Sequence, residues 1–160
     1  MDGIAEKRNK LAIFMVGQQQ PDILIGIDTG THTGVAVWDS RARKFTKILT
    51  VPIHKAWAFV IDQHAKYGDR LFVIFEDARQ RTWYGNDSGR VAAKLQGAGS
   101  VKRDAAIWED FLTDYGIAFR AVPPARGATK LDGDYFARLT GWTEKTSNHA
   151  RDAAMLVFGR

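Results

Sequence analysis

The sequence predicts an α/β domain built on a mixed five-stranded sheet with helices on both faces. Three observations predict it. Short apolar runs rich in β-branched or aromatic residues occur at 23–27, 34–38, 44–51, 71–75 and 117–122. The first three are separated only by turns, so they pair antiparallel. From the third onward a helical pattern lies between strands, and two strands joined through a helix run parallel.

Residues 1–21 close on Gln18-Gln19-Gln20-Pro21, a polar break, and read as an extension with one short helix. A single domain then spans 22–160, a length that suits one core. In the first strand, Ile23 to Ile27 runs into Asp28, and Thr29, Gly30 and Thr31 make the hairpin turn. Residues 54–67 place Trp57, Val60, Ile61 and His64 at helical spacing, and Gly68 stands where a helix-ending glycine belongs. The fourth strand ends in Glu76 and Asp77. A loop over 78–89 follows, with Trp83 and Tyr84 set among cations.

A long helix is predicted over about 90–115, although Gly97 and Gly99 each weaken it by about 1 kcal/mol relative to Ala. Pro123-Pro124 ends the fifth strand, 134–139 is a short helix, and Ser147 or Asn148 caps a last helix to about Phe158.

The composition narrows the function. A hydrophobic fraction of 45% and a charged fraction of 26% are those of an ordinary globular chain. No long uncharged apolar stretch suggests a membrane span. The charged N-terminal residues make a poor secretory signal, so an intracellular, cytoplasmic protein is expected. With no cysteine, disulfides and thiolate metal sites are excluded. A net charge of +5 and a pI near 9.6 point to an anionic partner, nucleic acid foremost.

Three acidic positions stand out. Asp28 and Glu76 each end a buried strand, where a carboxylate is costly unless something uses it. If those strands are neighbours, the two lie side by side. Asp152 falls in the first turns of the last helix, three residues after His149, so both share a helix face. Ala150, Ala153 and Ala154 let that helix approach the sheet. Three carboxylates and an imidazole brought together would repel unless cations neutralise them. Such an oxygen-rich set suits Mg²⁺ or Mn²⁺. Two ions about 4 Å apart can activate water and stabilise the leaving oxygen of a phosphodiester. Taken singly, Asp28 also reads as a turn cap, Glu76 as a partner of Arg79, and Asp152 as a complement to the helix dipole.

In chain order these residues resemble an RNase H-like nuclease, and the RuvC family of Holliday junction resolvases in particular. Gly26-Ile27-Asp28-Thr29-Gly30 resembles that family's Gly-Ile-Asp-Pro-Gly opening, with Thr29 in place of the proline. Phe75-Glu76-Asp77 resembles the segment with the catalytic Glu, and residues 92–101 the glycine-bearing helix after it. His149-Ala150-Arg151-Asp152 resembles the closing acidic motif.

The resemblance covers roughly 23–158. It implies an RNase H-like fold and a homodimer joined through the glycine-bearing helix. It implies metal-dependent resolution of four-way DNA, with Asp28, Glu76, His149 and Asp152 as catalytic metal ligands and Lys130 as a further catalytic residue. Arg79, Arg81, Arg90, Lys94, Lys102, Arg103 and Arg126 are the expected phosphate contacts.

The opening motif is also similar to the phosphate-binding start of the actin, Hsp70 and sugar-kinase superfamily, whose two lobes need a longer chain. The YqgF-type RNA-processing nucleases, and a catalytically silent nucleic-acid-binding module on the same fold, are the alternatives.

The loop after Glu76 yields a prediction of its own. Bases at a junction crossover are only partly stacked, and an aromatic ring in their place contributes about 1–3 kcal/mol per base. Trp83→Ala and Tyr84→Ala are therefore predicted to lower cleavage of a synthetic four-way junction, with stability within about 0.5 kcal/mol of wild type. A core role for Trp83 predicts instead a loss of about 3–5 kcal/mol. Cleavage and thermal unfolding of the same variants decide between them.

Overall fold

Alternation along the strands sorts the sheet into two faces. In the computed structural model, which describes residues 20–81, 91–125 and 130–160, with the backbone alone for 91–98, the strands are β1 (Ile23–Asp28), β2 (His32–Asp39), β3 (Lys44–Pro52), β4 (Leu71–Glu76) and β5 (Phe119–Val122). They form one sheet in the order β3-β2-β1-β4-β5. The β1–β2 and β2–β3 pairs are antiparallel, and β4 lies parallel to both β1 and β5. The fold is thus α/β on a mixed five-stranded sheet, as the run of strands and helices predicts.

Among the described residues the α-helices are α1 (Ile53–Tyr67), α2 (Val91–Asp114), α3 (Gly133–Thr140) and α4 (Asn148–Met155). Ile23, Ile25 and Ile27 of β1 and Leu71, Val73 and Phe75 of β4 bury one face of the sheet against Ala56 and Val60 of α1 and Ala105, Trp108 and Leu112 of α2. Leu24, Ala36, Trp38 and Ile74 bury the other face against Phe136 of α3 and Ala150, Ala153 and Ala154 of α4. Helices therefore cover both faces.

Local chemistry sets the ends of the helices. Gly68 closes α1 at φ 56, and its N–H donates to the His64 carbonyl. Glycine adopts this positive φ without a Cβ clash. The Asp132 carboxylate caps α3 by accepting from the Tyr135 N–H at 2.8 Å, and the Ser147 hydroxyl caps α4 by accepting from Ala150 at 3.1 Å. The last helix is shorter than predicted. It ends at Met155, after which the chain tightens into turns through residue 159. The reason is tertiary: the Trp38 indole and the Ser40 hydroxyl both donate to the Arg160 carbonyl, at 3.0 and 2.9 Å, and Phe158 packs edge-on to Trp38. Among the described residues, no helix is long and apolar enough to cross a membrane.

Two glycines set the depth of α4. Gly26 and Gly34 lie on the α4 side of β1 and β2, in step with Leu24 and Ala36. A Cβ at Gly26 would run into the Ala153 carbonyl, and one at Gly34 into the His149 carbonyl. The helix backbone thus rests directly on the sheet backbone. A carbonyl inside a packed helix has little room to yield, so Gly26→Ala and Gly34→Ala are each expected to destabilise by at least about 1–3 kcal/mol, the range for overpacked cores. Urea unfolding measures this, and wild-type midpoints for both variants would contradict the close approach.

Candidate active site

The register of the central strands decides where the acidic residues meet. Ile27 of β1 is paired with Phe75 of β4, so Asp28 and Glu76 are the next residues of two adjacent parallel strands. They share the parity of Leu24 and Ile74, which places both on the face that α4 covers. The two strand ends are also tied by the Thr29 hydroxyl, which donates to the Glu76 carbonyl over 3.4 Å.

Because α4 sits down on Gly34, its first turn arrives above Asp28. The His149 Nδ1 lies 2.7 Å from Asp28 Oδ2. One turn later, Asp152 Oδ2 lies 3.3 Å from Lys130 Nζ, in the segment that leads into α3. Asp28, Glu76, His149, Asp152 and Lys130 are thereby gathered at one end of the sheet. Among the described residues, no three His, Asp or Glu side chains converge as one metal-holding group, because Asp28 is drawn to His149 and Asp152 to Lys130.

The electrostatics of the cluster are unfavourable for charge. Burial pushes the Asp28 carboxyl above its ordinary range, against the pull of the His149 hydrogen bond, and the Asp152 carboxylate pushes the same way as burial. Burial also raises Glu76, with Asp28 and Asp152 adding to it and Arg81 and Lys130 opposing. Two neighbouring acids that resist ionisation mark a place where a cation would be welcome. The donor types are hard oxygens with one imidazole, kinds that Mg²⁺ and Mn²⁺ accept, although among the described residues they do not converge as one group.

Asp77, next in sequence to Glu76, behaves in the opposite way. Burial raises it, yet hydrogen bonds from the Arg79 side chain and backbone and from Gln80 hold it below the ordinary carboxylate range. Arg79 clasps Asp77 at 2.8 and 2.9 Å and reaches Glu109 of α2 at 2.6 Å. Its guanidinium is spent on holding the turn at 78–80 to α2, and its single-residue reading as the partner of Glu76 does not hold.

Of the other expected phosphate contacts, Arg81 lies close enough to Glu76 for its charge to lower that acid. Lys102 is half-buried and Arg103 exposed on α2. The Lys94 side chain, and all of Trp83, Tyr84, Arg90 and Arg126, lie outside the described residues. Sequence reasoning passed over Arg151, whose buried guanidinium links α4 to the segments on either side of α3. It also passed over Thr29 as a link between strands. The adjacency of Asp77 and Arg79 was a usable local signal; for Arg151 there was none. Compared with protein-family models and with curated proteins, the chain matches none of them.

A stability measurement checks the charge balance. A carboxyl with a raised folded pKa contributes stability that is full below its unfolded pKa and is lost as pH rises through the folded value. In metal-free buffer, Asp28→Asn and Glu76→Gln are therefore expected to be more stable than wild type at pH 7. The difference should vanish below about pH 3, where both acids are protonated in the unfolded chain as well. Denaturant unfolding across that range measures it, and amide variants weaker than wild type at pH 7 would contradict the raised values.

Proposed function

We propose that the chain is a metal-dependent, structure-selective endodeoxyribonuclease of RNase H-like fold that cuts four-way DNA. The observation that carries the reading is the pair Asp28 and Glu76, half-buried, adjacent and with both acids raised, facing His149 and Asp152 across the α4 contact. Support comes also from the sheet, whose antiparallel strands followed by parallel ones agree with the RuvC resemblance. The net charge of +5 agrees with a polyanionic substrate. A homodimer, with one site for each strand to be cut, belongs to the same proposal.

Asp28, Glu76, Asp152 and His149 would hold the metal. Mg²⁺ or Mn²⁺ in such a site supplies a water activated at neutral pH and neutralises charge on the phosphate oxygens. The remaining chemistry belongs to the chain. The Asp28 carboxyl orients the imidazole through the 2.7 Å contact at Nδ1, and Nε2 is the ring nitrogen that would be left to face a metal. Lys130 brings an ammonium group to the edge of the cluster, where it can meet a phosphate oxygen. Arg81 beside Glu76 offers a second cation to the same backbone.

A second reading, a catalytically silent nucleic-acid-binding module, is favoured by one observation. Asp28 is paired with His149 and Asp152 with Lys130, and among the described residues the acidic and imidazole groups do not converge on one point.

Cleavage of a synthetic four-way junction in Mg²⁺ or Mn²⁺ separates the two. The nuclease reading expects paired incisions that Asp28→Asn, Glu76→Gln and Asp152→Asn each abolish while junction binding persists. An imidazole ligand suits Mn²⁺ better than Mg²⁺, so faster cleavage in Mn²⁺ is expected, with His149→Asp weakening that preference. Binding without incision in either metal would leave the silent module. Faster cleavage of branched RNA than of branched DNA would move the activity to RNA processing.

A further inference from the structure

Arg151 is the one buried arginine in the described structure, and it is an unusual one. Its neighbours on α4 are Ala150 and Asp152, yet its side chain turns away from the acidic cluster. Nε donates to the Leu131 carbonyl at 2.7 Å, Nη1 to the Thr146 carbonyl at 2.7 Å and to the Thr146 hydroxyl at 3.0 Å, and Nη2 to the Asn148 side-chain oxygen. Among the described residues, no carboxylate lies within ion-pairing distance of it. A buried cation solvated by neutral oxygens alone is tolerable only when every donor is placed, and removal of one partner is then costly.

The acceptors lie on both flanks of α3: Leu131 before it, Thr146 and Asn148 after it. Leu131 is the residue directly after Lys130, whose ammonium sits beside the neighbouring Asp152. One side chain therefore ties the residue next to Lys130 to the helix turn that carries Asp152.

We infer that Arg151 is the positioning residue that holds Lys130 at the acidic cluster. What Lys130 does there rests on the nuclease reading; that Arg151 holds it does not.

Trace acetylation followed by mass spectrometry reads the second point without any activity. An ammonium held at a carboxylate is less free to meet the reagent than one that swings in solvent, so it labels more slowly. Arg151→Lys is expected to raise labelling of Lys130 severalfold relative to exposed Lys47 in the same molecule, as Asp152→Asn does. Unchanged labelling in Arg151→Lys, with a rise in Asp152→Asn, would overturn the inference.

Junction cleavage reads the first point. Arg151→Lys is expected to lower kcat about tenfold with KM unchanged, within the coupling range of one hydrogen-bonded network. In a Lys130→Ala background the same substitution should cost nothing more, whereas losses that multiply would mean a merely structural role. Should Arg151→Lys fail to fold, Asn148→Ala removes one anchor of the guanidinium and carries the same comparisons. If the wild-type chain cuts no branched nucleic acid, the nuclease reading fails, and the labelling ratio alone decides whether Arg151 holds Lys130.

Discussion

The contact of α4 with the sheet backbone is the constraint from which the rest of the molecule follows. Gly26 and Gly34 leave no side chain between the His149 and Ala153 carbonyls and the strands. Ala150, Ala153 and Ala154 keep the helix equally thin on its inner face. An ordinary helix packs on a sheet through a layer of side chains, and such a layer would lift His149 and Asp152 away from Asp28. Here the first turn of α4 comes down far enough for an imidazole to reach a strand-end carboxylate at 2.7 Å. That same proximity removes water from Asp28 and Glu76, which raises both acids. Packing and electrostatics in this cluster are two effects of one short distance.

The chain treats its buried carboxylates in two contrasting ways. Asp22, at the start of β1, is gripped by Arg70 at 3.0 and 2.9 Å and by Arg41, and its pKa is lowered, with the Arg70 hydrogen bond the largest cause. Asp77 is satisfied by Arg79 and Gln80. These acids are at ease as anions and hold elements together. Asp28 and Glu76 are the last residues of β1 and β4 and, among the described residues, receive far less: one imidazole contact, and distant help from Arg81 and Lys130. A fold that can supply arginines to Asp22 and Asp77 leaves a negative potential at this one end of the sheet. Sites poised for ligands or chemistry are commonly built in that way.

Much of this was legible before any coordinates. The continuous apolar runs Ile23 to Ile27 and Leu71 to Phe75 mark buried strands, and because each run is closed by an acid, Asp28 and Glu76 lie side by side if the strands are neighbours. Gly68 and Ser147 announce helix ends because capping is satisfied within a few residues. The spacing of His149 and Asp152 was readable for the same reason. The end of α4 was not, because the Arg160 carbonyl is caught by Trp38 and Ser40 from more than a hundred residues away.

What the sequence by itself determined, then, is the set of strands and helices, their buried faces and the acidic residues at their ends. Only the tertiary structure decided which charges meet. Asp28 found His149 across 121 residues, Arg70 found Asp22 across 48, and Arg151 found the Leu131 carbonyl across 20. Arg79 took Asp77 and Glu109 instead of Glu76. The physical reason lies in range. Hydrophobic period and capping act over one or two turns of chain, so they are written locally. A long polar side chain is free to turn in several directions, and its partner is settled only when strand register and the depth of helix packing bring distant backbone into reach.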